Sequence, residues 1–167
     1  NQVNDADKRV KAMETSLNEV QTILEHLPNK NLFNEGLDIL HNNKWPFPDD
    51  DKVTLFLAQH PDDLKKMVIQ LGKNAESFFR YDLRTIDNLI NERTWPLFVD
   101  GLPKMAIATG KNVTPFFWSG LPAVKDLINE KTWPEMVKMT VAARENAVYL
   151  FRDGLPKTDN LRDEKTW

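Results

Sequence analysis

The chain of 167 residues contains no cysteine, so disulfides, thiolate chemistry and cysteine-built zinc sites are excluded. No apolar run approaches the ~18–20 residues of a membrane span, and no signal-peptide pattern opens the chain. Neither sign of charge dominates. With 22 Lys and Arg against 25 Asp and Glu the net charge is −3, and the two signs are mixed along the chain. A mainly electrostatic nucleic-acid binder needs a basic stripe, so nucleic acid is not the expected partner. Phosphate loops of the Gly-x-x-x-x-Gly-Lys-Ser/Thr and Gly-x-Gly-x-x-Gly kinds are missing. These absences lead to the expectation of no cofactor, no catalytic residue and no metal ligand. They favour a cytoplasmic location without fixing it, since lack of cysteine fits any compartment.

What is present is regular. A hydrophobic content of 41% with 28% charged residues fits a soluble globular protein. In the first segment Val3, Ala6, Val10, Met13, Leu17, Val20, Leu24 and Leu27 alternate by three and four residues, ending at Pro28 and Asn29. That is the a/d seam of about four heptads and predicts a helix over 3–27. It reads either as a long amphipathic helix capping the rest or as a coiled coil pairing two copies. The flanking positions Arg9, Glu14, Ser16, Gln21 and Ile23 carry no consistent charge code.

Further on, one pattern occurs three times. Met67, Met105 and Met139 are each followed seven residues later by Asn (Asn74, Asn112, Asn146) and twelve later by Phe (Phe79, Phe117, Phe151). A Leu comes sixteen later (Leu83, Leu121, Leu155) and a Trp twenty-eight later (Trp95, Trp133, Trp167). An internal repeat of this period is the signature of a stacked array whose units bury their apolar faces against one another. Residues 31–45 read as a shortened copy, with Phe33, Gly36 and Leu37 matching Phe117, Gly120 and Leu121 and with Trp45 in the tryptophan place. Pro46 to Asp51 reads as a loop, and Asp50 or Asp51 is placed to cap a short helix.

Within a unit, Pro61 is expected at the first position of a helix ended by Gly72, with Asp62 and Asp63 in its first turn. The three asparagines are expected to cap the second helix. The Gly-Leu-Pro at Gly120–Pro122 and Gly154–Pro156 is expected to break that helix into a short and a long piece. Thr-Trp-Pro closes two units, and the Trp-to-Met distance is ten residues in one and six in the next, a difference of one helical turn. Thr166 and Trp167 open the motif again without a following helix, which reads as a segment of a longer protein as readily as a native terminus.

Asn-x4-Phe-x2-Gly-Leu-Pro, at Asn112–Pro122 and Asn146–Pro156, followed by Ala123-Val124-Lys125-Asp126-Leu127-Ile128, resembles armadillo repeats. HEAT-like helical pairs are an equally acceptable label. The resemblance covers about residues 61–167. It departs from the family in its spacing of 38 and 34 residues, against the usual ~40–47. The Trp-x3-Asn ladder with which some armadillo proteins grip extended peptides is also missing. The resemblance implies an all-α, right-handed α-solenoid of three to four helix-pair repeats behind the N-terminal heptad helix. The expected organisation is 1–28 heptad helix, 29–60 degenerate repeat and loop, and 61–167 repeats. It implies binding of another protein or peptide, as a non-enzymatic scaffold.

Two other readings stand beside this one. One is a HEAT-like helical-repeat enzyme or nucleic-acid handler, which needs a basic concave groove and a buried catalytic carboxylate. The other is an assembly module, a homo-oligomer formed through residues 3–27. One motif invites a metal: His60-Pro61-Asp62-Asp63 resembles the zinc-binding sequence of N-acetylglucosaminyl deacetylases. Leu64 stands where that family has Glu, and no His follows position 60, so a helix start is the better account. Four tryptophans (Trp45, Trp95, Trp133, Trp167) share one repeat position and are expected to be structural. Trp118 replaces Arg80 and Arg152 and owes nothing to the repeat, which makes it the leading contact candidate. Gln70, Asn74, Thr109, Asn112, Arg144 and Asn146 are the other candidate contacts.

Overall fold

The computed structural model describes residues 2–25 and 30–157, with side chains for 5–21 and 30–156. The expected helix end at Pro28, the seam residues Val3, Leu24 and Leu27, and the final Thr166-Trp167 lie outside the described side chains. Every regular element among the described residues is helical. Six longer helices carry the fold: α1 (Gln2–Glu25), α2 (Lys30–Asn42), α3 (Lys52–Ala58), α4 (Pro61–Leu71), α5 (Trp95–Thr109) and α6 (Trp133–Ala143). No helix among the described residues is long and apolar enough to cross a membrane.

Local chemistry sets the helix starts. Asp51 is extended (φ −70°, ψ 141°), and its carboxylate accepts the Val53 N–H at 2.9 Å, capping α3. Pro61 opens α4, where its missing N–H costs nothing. The starts of α5 and α6 use a device hidden in the sequence. Asn91 Oδ1 accepts the N–H groups of Arg93 (2.9 Å) and Thr94 (3.0 Å). Thr94 Oγ1 accepts the Asn91 N–H at 3.1 Å and donates to the Leu89 carbonyl at 2.6 Å. Asn129 and Thr132 repeat the arrangement before α6, with Leu127 as acceptor. This reciprocal Asn-x-x-Thr box satisfies donors ahead of the helix, and Trp95 and Trp133 then enter the core at its first position.

Three stretches follow one element order. After α4, α5 and α6 come short 3-10 turns (Gly72–Asn74, Gly110–Asn112, Arg144–Asn146), then a second limb over 75–85, 113–123 and 147–157. Each second limb holds a five-residue π-helical stretch, Phe78–Asp82, Phe116–Gly120 and Leu150–Gly154. Helix α4 packs on α5 and α5 on α6, while each second limb packs on the next. Phe79, Phe117 and Phe151 are fully buried, as are Leu83, Leu121 and Leu155. Rings in contact run from Phe79 through Phe78, Phe117 and Phe116 to Phe151, at centroid distances of 5.4, 5.8, 5.3 and 5.1 Å. Helix α5 has 15 residues and α6 has 11, so the length change falls between Trp and Met.

Two local expectations are corrected. Asn74, Asn112 and Asn146 do not cap: none makes a side-chain cap hydrogen bond. Their backbones already lie in or beside the helical region, because the reversal is completed two residues earlier, at Gly72 (φ 56°), Gly110 (φ 51°) and Arg144 (φ 54°). An extended residue, which N-capping needs, is never formed there. The Gly-Leu-Pro at Gly120–Pro122 does not split a short helix from a long one either. Its limb winds through a π stretch and only short turns follow before α6, while the stretch that follows Gly154–Pro156 lies, beyond Lys157, outside the described residues. Pro122 sits in the first turn after that stretch, where a proline is tolerated. Asp82-Leu83-Arg84, with neither Gly nor Pro, winds the same way, so the π turn does not depend on the Gly-Leu-Pro sequence.

Arg144 occupies the place of two glycines with φ 54° and ψ −125°, a conformation that L side chains rarely adopt. Arg144→Gly is therefore expected to raise the unfolding free energy by about 1 kcal/mol, measured by urea denaturation. An unchanged or lowered stability would mean that the arginine is not strained.

Helix α1 stands apart in its burial. Val10, Met13 and Leu17 are exposed, and Val20 alone of the described seam is packed against the core. Glu19 approaches Lys52 at 3.9 Å.

Candidate binding cleft around Trp118

The tryptophans divide as their repeat positions suggest. Trp45, Trp95 and Trp133 are buried, and the Trp45 and Trp95 indoles donate to Thr54 Oγ1 (2.8 Å) and Asp63 Oδ2 (2.9 Å). Trp118 is 71% exposed. It lines an open cleft of about 600 Å³ with Tyr81, Arg84, Thr85 and Thr114. Two second limbs build this cleft. Limb 75–85 supplies Tyr81, Arg84 and Thr85, spaced three and four residues apart on one helical face. Limb 113–123 supplies Thr114 and Trp118, four residues apart.

The threonine hydroxyl protons of this cleft are already committed. Thr85 Oγ1 donates to the Asp82 carbonyl at 2.7 Å, and Thr114 Oγ1 donates to Asp82 Oδ1 at 3.2 Å. Arg84 lies over the Phe47 ring at 5.7 Å, and Arg80 over Tyr81 at 5.1 Å. Among the described residues no carboxylate lies within ion-pair distance of Arg80 or Arg84. Arg152, at the repeat position of Arg80 and Trp118, stacks on Tyr149 and pairs with Asp153 at 3.1 Å.

Asp82 is buried behind the Thr114 wall and does not itself line the cleft. Burial pushes its carboxyl up to about 6, against the opposing pull of the Thr114 hydrogen bond. Between pH ~4 and 6 the folded chain thus holds this proton more tightly than the unfolded chain. The cost of the buried charge is absent below that window and fully present above it. Asp82→Asn is expected to stabilise the protein by about 2–3 kcal/mol at pH 7.5 and by nothing at pH 4. Thermal melts of both proteins across this range check it. An equal difference at both ends would mean that the carboxyl titrates normally.

The remaining candidates do not join Trp118. Arg144 and Asn146 line a second cavity of about 950 Å³ with Lys104, Ile107, Gly110 and Val141. Gln70 and Asn74 are exposed on the first unit. The Asn112 amide donates to the Glu145 carbonyl at 2.8 Å and so ties one turn to the next. Thr109 is buried, its hydroxyl donating to the Met105 carbonyl at 2.8 Å, and it offers no side chain to a partner. A polar residue near a helix end reads as surface, but this hydroxyl folds back onto its own helix. Beside this edge Ile69, Ile107 and Val141 are exposed at one common repeat position.

His60 packs between Phe56 (5.0 Å) and Trp95 (5.7 Å), while Asp63 accepts the Trp95 indole. The residues of the apparent metal motif are thus used in joining α3, α4 and α5. Among the described residues no group of three His, Asp or Glu side chains is placed to hold a metal ion.

Tyr81, Arg84, Thr85 and Thr114 were not among the sequence candidates. Helical spacing links the residues of each limb, but only packing joins the two halves. No family model matches the chain, and neither a curated protein nor a solved structure does.

Proposed function

We propose that this chain is a non-enzymatic protein-binding scaffold, a right-handed α-solenoid of the armadillo or HEAT kind that docks a protein or peptide on its second limbs. One observation carries the reading: Trp118 is exposed in a cleft, where every other described tryptophan is buried. An exposed indole beside Tyr and Arg has the composition of an interface hot spot. The thrice-repeated element order and the limb-on-limb packing support the solenoid description. Such an array offers a surface longer than any single unit.

The test uses the whole chain as bait beside its Trp118→Ala variant. Proteins retained by the wild type are expected to be depleted about tenfold or more on the variant, as for a hot-spot truncation. If both baits retain the same proteins to the same extent, the scaffold reading of this cleft is wrong.

The exposure of Val10, Met13 and Leu17 favours a second reading, assembly of two copies through α1. In a parallel pair Arg9 of one copy comes opposite Glu14 of the other, across the g and e positions. Light scattering of the chain with and without residues 1–28 decides the matter. Assembly predicts a dimer that becomes a monomer on truncation, and two monomers would sink it.

A further inference from the structure

We infer that the Trp118 cleft takes an acidic linear peptide, with a carboxylate on Arg84 and a flat apolar side chain, prolyl or aromatic, against Trp118. The inference rests on the scaffold reading and names the chemistry of its partner. The cleft has donors to spare. Both threonine hydroxyl protons are held by Asp82, while the Arg84 guanidinium, with its five N–H donors, has no carboxylate among the described residues. Among the described residues no acidic side chain lines the cleft. A ligand rich in acceptor oxygens therefore complements it, and a carboxylate meets a guanidinium in bidentate fashion.

The apolar part follows from the same geometry. Tyr81 and Arg84 rise from one limb and Trp118 from the next, all lining the same cleft, so a flat side chain can lie against the rings while its neighbour's carboxylate meets the cation. Repetition adds length. Arg80, Trp118 and Arg152 hold one repeat position on three successive limbs, and packed helices lie about 8–10 Å apart. A polyproline II strand advances about 9 Å every three residues and returns to the same face. A peptide with acid and apolar residues at this interval meets Trp118 and the Arg80 position of the preceding limb in turn, while Arg152 is held by Asp153. Nucleic acid fits less well. Among the described lining residues Arg84 is the one cation, Arg152 is already paired with Asp153, and the chain carries net negative charge.

The experiment selects random twelve-residue peptides on the whole chain and counter-selects them on Trp118→Ala. Retained peptides are expected to be enriched in Asp and Glu next to Pro or an aromatic residue. Their binding to Arg84→Ala and Arg84→Gln is expected to weaken about tenfold or more, the loss of a charge-assisted hydrogen bond. Circular dichroism of the variants checks that they are folded. A twelve-nucleotide oligodeoxythymidine is titrated in parallel. The inference is overturned if no peptide survives counter-selection or if survivors lack acidic enrichment. It is equally overturned if both Arg84 variants bind unchanged, or if the oligonucleotide binds as tightly with the same Trp118 dependence. Loss of acidic enrichment while natural partners still require Trp118 would remove this inference and leave the scaffold reading standing.

Discussion

Phe117→Ala is expected to cost about 3–5 kcal/mol of stability, whereas Trp118→Ala, one residue on, should change it by less than about 0.5 kcal/mol. The Phe117 ring is fully buried and touches Phe78 of the preceding limb and Phe116 of its own. Removing it leaves a cavity where two limbs meet, and backbone on both sides limits collapse. Trp118 points to solvent, so its truncation gives up little buried area. Urea denaturation of the two variants, followed by circular dichroism, measures both. A loss below about 1 kcal/mol for Phe117→Ala would mean that the limbs are not joined through this chain of rings. A large loss for Trp118→Ala would make that residue structural and undercut its role as a contact.

Gly36→Ala should be the most damaging single-methyl change in the protein. A Cβ at this position would stand 2.7 Å from both the Cα and the carbonyl carbon of Ala58. The obstruction is backbone, not the end of a flexible side chain, so α2 and α3 must separate to admit it. Overpacking of this kind costs about 1–3 kcal/mol and more where nothing can yield. Gly72→Ala is the control: nothing lies within 4 Å of a Cβ there, and its cost is limited to about 1 kcal/mol of strain at positive φ. Thermal melts should rank the two variants in that order. Equal melting points would show that α2 and α3 do not cross in backbone contact.

Much of this was legible because helix burial repeats every three to four residues. Met67, Met105, the three phenylalanines and the three leucines were expected inside, and they are buried. Pro61, Gly72 and Asp51 act locally, and each forms the start, stop or cap that its chemistry indicates. The π stretches were not legible, because limbs with and without Gly-Leu-Pro adopt them alike. Asn74 and its counterparts misled because capping depends on backbone angles set two residues earlier. Conversely Asn91 and Asn129, four residues ahead of the tryptophans, went unread although both precede a Thr by three. For the cleft, departure from the repeat singled out Trp118. Tyr81 and Arg84 come from another unit, and no local pattern places them beside it.

The Asn-x-x-Thr boxes also decide where the chain divides naturally. Each box belongs to the helix that it introduces, since Asn91 and Thr94 supply the groups that the first turn of α5 lacks. The border between modules therefore falls ahead of Asn91 and Asn129, not at the tryptophans that mark the pattern to the eye. A fragment cut at Trp95 would begin with a frayed end, while one beginning at Leu89 would carry the whole clasp, including the carbonyl that takes the Thr94 hydroxyl. Grafting or shuffling of these modules should keep that six-residue leader attached.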